Sequence, residues 1–287
     1  MIKIILSLIT IISLSKIFNF NEPIENIKKI TKEISIHRPV ESFNLIKVKS
    51  DIIREMKKIG LVVQEQPFTR IINNKKYKMS NLIGYNSNTT KPYIVLGAHI
   101  DSIQSPMSET ATDSATSIAI ILELTNNILK YTPDYPIMIL FFDGEEAIDG
   151  NWNSNNSLSG SSFFVNNFNL KLIDKVYIFD LIGGDIKDNK ICAFEDNLIT
   201  YNDLVKLSDI NKQLYQNNEQ IFINPKIFTY PIGPQDDNLP FIKKGIYALD
   251  LIPYKFPNSH HKITDNYENV NWRYVEIFYN VLLKFLL

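Results

Sequence analysis

The sequence predicts an α/β domain, a central and mostly parallel mixed sheet with helices on both faces. Three observations predict it. Four short apolar runs, at residues 92–98, 137–142, 175–181 and 245–252, read as strands covered on both sides. Segments of helical spacing are interleaved with them, the pattern of a parallel sheet. The chain has 287 residues, 45% of them hydrophobic and 21% charged, enough to bury one substantial core. The same composition excludes a disordered or collagen-like chain.

In chain order, Ile27, Ile30 and Ile34 recur at helical spacing over 25–34, and Arg38-Pro39 ends that segment. Residues 42–59 read as an amphipathic helix stopped by Gly60. Strands are expected at 61–68, 69–72 and 76–85, with a turn at Asn73-Asn74. Helices follow at 115–129, 200–215 and 270–286, and the Asn/Ser-rich stretch 151–162 reads as a loop. With no internal repeat and no long linker, residues 16–287 form a single expected domain.

Residues 1–15 have the parts of a secretory signal peptide: Lys3, an apolar run from Ile4 to Leu14, and a small-x-small exit at Ser13-Leu14-Ser15. The run falls short of the roughly 20 apolar residues that span a bilayer; an uncleaved anchor or a buried first helix is the alternative. The expected location is the secretory pathway, either secreted or in the Golgi or ER lumen. Asn88 and Asn155 begin glycosylation sequons. Thirty Lys and Arg against 31 Asp and Glu leave no basic excess for a nucleic acid. The lone Cys192 supplies neither an internal disulfide nor a thiolate metal site and reads as a small buried residue.

In open α/β sheets, ligands bind beyond the carboxyl ends of the strands. There the sequence places His99 and Asp101, then Asp113, then Asp143 with Glu145-Glu146, then Asp180, and finally His260-His261. Three of the four histidines fall at or after strand ends. Carboxylates gathered at one edge repel one another and need a cation. Histidine and carboxylate ligands without cysteine suit zinc at an open catalytic site. Of the adjacent glutamates, one is expected on the metal and the other free to carry protons. No phosphate loop, nucleophile elbow, His-Glu-x-x-His helix or dinucleotide-binding turn competes.

Six blocks then occur in order: His99-Ile-Asp101-Ser102, Ala111-Thr-Asp113-Ser-Ala115, Phe141-Phe-Asp143-Gly-Glu145-Glu146-Ala147, Asp180-Leu-Ile-Gly183, Gln235-Asp236-Asp237-x-x-Pro240-Phe241, and Ile252-Pro253-x-x-Phe256-Pro257-x-x-x-His261. Together they resemble the animal-type glutaminyl-peptide cyclotransferases, which share the fold of zinc aminopeptidases. The first three blocks and the terminal histidine belong to both groups; the last three point to the cyclase branch. The resemblance implies one zinc per chain on Asp113, Glu146 and His261, with Glu145 as general acid/base. It implies Asp180 and Asp236 as a carboxylate network beside Glu145. It further implies Trp152, Gln235, Phe256 and His260 around the substrate, and His99 and Asp101 behind the ligands. Trp152 is reached by allowing one extra residue in the loop after Glu146. The implied substrates are peptides or proteins beginning with Gln, with Glu as a further candidate, and the implied state is a monomer.

The chain departs from the family pattern at two places. His260 stands where the family usually has tryptophan, and Asp250 where it commonly has histidine. Two other readings compete. A two-zinc aminopeptidase would use His99, Asp113, Glu146, Asp180 and His261, with Glu145 activating a bridging water. A non-catalytic relative would be marked by lost ligands, and none is lost.

Overall fold

The computed structural model describes residues 21–287 apart from Asn151, Ser154 and Gln216; the expected signal segment lies outside the described residues. Helix α1 (Asn21–Ile34) and helix α2 (Phe43–Ile59) come first. Ser42 caps α2 by accepting from the Leu45 amide at 3.1 Å, and Gly60 ends it with a left-handed φ of 90°. Strands β1 (Val62–Ile72) and β2 (Lys75–Tyr85) form a hairpin turning on Asn73 and Asn74, both at positive φ. The two strands expected before that turn are one continuous strand. Pro67 is tolerated inside it because β1 is the sheet edge and has no second partner among the described residues.

Strand β3 (Tyr93–His99) leads through an irregular turn to α3 (Thr116–Tyr131), then β4 (Ile137–Phe142). Helix α4 (Ser159–Asn167) and strand β5 (Ile173–Phe179) follow. The stretch expected as loop to residue 162 therefore already turns helical at Ser159. Packing overrides its poor helix propensity: Phe164 and Val165 are buried, and Gly160 lies so close to the end of β4 that a Cβ there would meet the Asp143 amide nitrogen at 2.7 Å. Short strands β6 (Lys190–Ile191) and β7 (Ala193–Phe194) precede α5 (Tyr201–Leu214) and β8 (Thr229–Tyr230). The chain ends with α6 (Asn238–Lys243), β9 (Ala248–Leu251), β10 (Pro253–Tyr254) and α7 (Trp272–Leu286).

The main sheet has the order β1-β2-β4-β3-β5-β9, with β4, β3, β5 and β9 parallel and the β1–β2 end antiparallel. Alternate strand residues serve opposite faces. Leu96, Ile139 and Phe179 join Ile27, Val48, Ile121 and Phe278 from α1, α2, α3 and α7. Val95, Leu140 and Ile178 join Phe164 and Phe241 from α4 and α6. Neighbours β3 and β5 continue to opposite sides of the sheet, β3 to β4 and β5 to β9. Their carboxyl ends therefore frame the crevice where such sheets hold ligands.

Helix α5 is tied to the sheet by buried Asp203, whose Oδ2 accepts from the hydroxyls of Tyr177 at 2.8 Å and Tyr247 at 2.7 Å and from Lys175 at 3.1 Å. Burial pushes this carboxyl up, but the three donors outweigh it and hold it below its ordinary value. A pKa depressed by folding contributes stability above the unfolded value, and the contribution is lost as pH falls through the folded one. Asp203→Asn is expected to lower the unfolding free energy at neutral pH by about 1–3 kcal/mol. In urea titrations repeated at falling pH, the gap from wild type should close below the carboxylate range, roughly pH 4.

Candidate functional site

Each strand end delivers one part of the site. His99 is the last residue of β3 and Asp101 lies two beyond it. Asp113 sits in the turn Ala111–Ala115 before α3, where its φ of −119° and ψ of 72° break helical geometry. Glu145 and Glu146 follow β4, and Asp180 follows β5. Asp236 precedes α6, and the loop after β10 carries Phe256, His260 and His261. A cavity of about 440 Å³ gathers these groups: Asp113, Glu146 and His261, then Glu145, Asp180 and Asp236, with Trp152, Gln235, Phe256 and His260 around them. Trp152 and Phe256 are 40% and 37% exposed and stand at the mouth.

At the floor, the Nε2 of His261 is 3.5 Å from Asp113 Oδ2 and 3.4 Å from Glu146 Oε2. Ligand atoms around a tetrahedral zinc, with bonds near 2.0–2.1 Å, stand about 3.4 Å apart. Asp113 Oδ2, Glu146 Oε1 and Asp180 Oδ1 are buried without a hydrogen-bond partner, the mark of donors arranged for an ion. His99 lies beneath them. Its Nε2 is 2.9 Å from Asp113 Oδ1 and 3.3 Å from Asp180 Oδ1, while Nδ1 faces the Asp101 carbonyl at 3.1 Å. Among the described residues, Asp113 with His260 and His261, and His99 with Asp113 and Asp180, each bring three donor atoms within metal-binding reach.

Asp101 orients the glutamates without touching the cavity. Its Oδ1 accepts from the Gly144 and Glu145 amides at 3.0 and 3.1 Å, and its Oδ2 from the Glu146 amide at 3.2 Å. The turn after β4 is thereby wound around one carboxylate, and Glu145 and Glu146 leave it toward different partners. Glu146 Oε2 faces His261, whereas Glu145 Oε2 stands 3.9 Å from His99 Nδ1.

The electrostatics follow from crowding in a low dielectric. Burial raises the Glu145 carboxyl well above its ordinary value, and the charges of Glu146, Asp236 and Asp237 add to this against the pull of His99. Asp236 is pushed up to about 7 by burial and by Asp180. Burial also lifts Asp180, and lifts Asp237 and Asp250 strongly. Asp113 is the exception: burial presses it upward, but the hydrogen bond from His99 and the charges of His99, His260 and His261 hold it far below the usual range. A dication among such groups removes the repulsion that drives the others up, and their nitrogen and oxygen donors suit zinc.

Several supporting residues carried no sequence signal for this role. Arg38 is fully buried; its Nε donates to the Ile100 carbonyl at 2.8 Å, and its Nη1 to the Glu109 carbonyl at 3.2 Å and Thr110 Oγ1 at 2.6 Å. It pins both ends of the loop that runs from β3 to the Asp113 turn. Asp265 grips the same turn, accepting from the amide and hydroxyl of Thr112 at 2.9 and 2.8 Å. Asp237 and Asp250 fill the space behind Asp236. Asp250 left two traces in the sequence, a charge inside the apolar run of β9 and its place where the resembling family commonly has histidine.

The sequence pattern of Peptidase family M28 matches residues 81–286. The chain belongs to peptidase family M28. Within this M28 chain the match takes in every cavity residue named above and leaves Arg38 outside. The chain is similar to the glutaminyl-peptide cyclotransferase of Gloydius blomhoffii, 26% identical over 265 residues, covering 79% of this chain and 70% of that protein. It is also similar to that of Dictyostelium discoideum, 29% identical over 292 residues, covering 84% and 78%. In fold it resembles the crystal structure of Macrostomum lignano glutaminyl cyclase, with a TM-score of 0.83 at 24% identity over 91% of this chain and 88% of that one.

The Asp101 carboxylate works by accepting from three amides, so its nearest isostere should fail. Asp101→Asn turns one acceptor into a donor facing a backbone N–H. Competition with a chromophoric chelator is expected to show zinc binding about 10- to 100-fold weaker, as for other groups that orient ligands.

Proposed function

We propose that this M28 chain is a zinc-dependent glutaminyl-peptide cyclotransferase that converts an N-terminal glutamine to pyroglutamate and releases ammonia. The observation that carries the choice is the composition of the cavity wall. Gln235, Asp236, Ile252 and Phe256, from the blocks that resemble the cyclases, face the shared metal donors across one pocket. The similarity to proteins named as cyclotransferases supports the same reading.

Asp113, Glu146 and His261 would hold the ion. A zinc ion there supplies Lewis acidity toward the side-chain amide carbonyl of the substrate. Trp152 and Phe256, at the mouth, pack against the substrate's apolar stem, and Gln235 offers a polar contact beside them. The α-amine of the substrate attacks its own side-chain carbon, so the nucleophile is already tethered and little association entropy remains. A ring C–N bond forms and the bond to the amide nitrogen breaks. Glu145 takes a proton from the attacking amine and delivers one to the departing nitrogen, which leaves as ammonia. A carboxyl with raised proton affinity suits that exchange; burial sustains the raised affinity, with Glu146, Asp236 and Asp237 adding to it. No water nucleophile is consumed.

A second reading has one specific observation in its favour. His99, Asp113 and Asp180 form a second donor group, which a two-zinc aminopeptidase would use. Product and metal count separate the two. The proposal also takes the chain to be a monomer that acts on peptides in the secretory pathway. The apolar N-terminal run and the exposed sequon asparagines, Asn88 and Asn155, support that location.

The deciding assay follows ammonia release from a Gln-initiated dipeptide, with the mass of the product and the zinc content measured on the same sample. Loss of one ammonia with about one zinc per chain is the expected outcome; free glutamine with about two would establish the aminopeptidase. In that assay Glu145→Gln should keep its zinc and lose about 10²- to 10⁴-fold in turnover. Near-normal activity would remove Glu145 from its role.

A further inference from the structure

His260 and His261 are neighbours in sequence, yet their rings stack with centroids 3.8 Å apart. Side chains of successive extended residues point to opposite sides. Here His261 adopts left-handed backbone, with φ of 55°, a conformation uncommon outside glycine. That twist turns both imidazoles the same way, into the cavity. The Nε2 of His260 stands 4.0 Å from Asp113 Oδ2, the oxygen that His261 Nε2 approaches at 3.5 Å. Atoms of Asp113, His260 and His261 all lie within 4.8 Å of one another. Phe256 packs edge-on to the His260 ring at 4.9 Å and backs it against the site.

A residue serving only as an apolar wall has no reason to aim a nitrogen at a buried carboxylate oxygen that lacks a hydrogen-bond partner. His261 Nε2 stands at tetrahedral-ligand spacing from one oxygen each of Asp113 and Glu146, and His260 Nε2 stands about half an ångström beyond that spacing from Asp113. A catalytic zinc ordinarily keeps its fourth position for water or substrate. A water held there is acidified into a hydroxide nucleophile, which a cyclisation does not use.

We propose that His260 is a displaceable fourth ligand. With no substrate bound, its Nε2 completes the coordination of the ion held by Asp113, Glu146 and His261; the substrate's amide oxygen takes that position on binding. The resting site then carries no activated water, which favours cyclisation over hydrolysis. The resting ligation rests on the metal assignment above, and its displacement by the substrate's amide oxygen rests on the cyclase reading.

The test is zinc-edge X-ray absorption on the full chain loaded with one equivalent of zinc and free of substrate. Two imidazoles per zinc are expected in the wild type and one in His260→Gln, whose zinc affinity should fall at least about tenfold in chelator competition. One imidazole in the wild type would overturn the proposal. So would two in the variant, because His99 would then supply the second. The wild-type count stands whether or not the variant folds, and a failure to release ammonia would refute the cyclase reading while leaving that count untouched.

Discussion

Buried negative charge is the constraint around which this molecule is organised. Asp101, Asp113, Glu145, Glu146, Asp180, Asp236, Asp237 and Asp250 all lie near the carboxyl edge of the sheet. Carboxylates removed from water at close range repel strongly. The fold answers this by different means at different positions. Asp101 accepts from three backbone amides yet is still pushed up to about 7 by burial, Asp113 is surrounded by imidazoles, and Asp237 and Asp250 are driven toward their neutral forms. Arg38 adds a fixed positive charge from below. Around Asp113, Glu146 and Asp180, one oxygen of each has no hydrogen-bond partner, and a cation placed among them would satisfy all three. Metal binding at the proposed site would therefore be linked to the stability of this edge.

The rest of the architecture makes that concentration of charge tolerable. Strands β3, β4, β5 and β9 are covered on both faces, so the edge is held by a close-packed core and not by its own contacts. His99 ends β3, Asp101 and Asp180 sit two and one positions past their strands, and Glu145 and Glu146 three and four past β4, near enough to the ladder to be held by it. The loops between are fastened by single polar anchors: Arg38 for the segment after β3, Asp265 for the Asp113 turn, and Asp101 for the turn after β4. Each anchor satisfies backbone groups that would otherwise be buried unpaired.

Most of this was legible in the sequence wherever a local signal exists. The apolar runs mark β3, β4, β5 and β9, Ser42 and Gly60 mark the limits of α2, and the polar residues past each run mark the catalytic edge. Signals failed where tertiary packing decides. Helix α4 opens with Ser-Gly-Ser, a poor helix former, and exists because Gly160 can lie against the end of β4. The segments expected at 61–68 and 69–72 are one strand, and Pro67 fits inside it because an edge strand does not need the missing N–H. Arg38 and Asp265 make contacts more than sixty residues away in sequence, and no spacing rule could reveal them. The adjacent histidines look alike in sequence, and only the left-handed backbone at His261 explains why both rings face Asp113.

The same electrostatic demand bears on how many ions the site holds. His99 Nε2 lies between Asp113 and Asp180, where a second metal ion would otherwise balance the two carboxylates. Burial lowers the proton affinity of His99, but Glu145, Asp113 and Asp180 together raise it well above its ordinary value. A protonated imidazole and a second dication are thus alternative solutions to one problem. The imidazolium supplies one positive charge without opening a coordination position, whereas a second zinc would supply two and carry water with it. In the proposed cyclisation the nucleophile arrives within the substrate and has no use for that water, so one zinc beside a charged His99 would suffice. The two-zinc aminopeptidase of the second reading could not make the same economy, because its bridging water depends on the second ion.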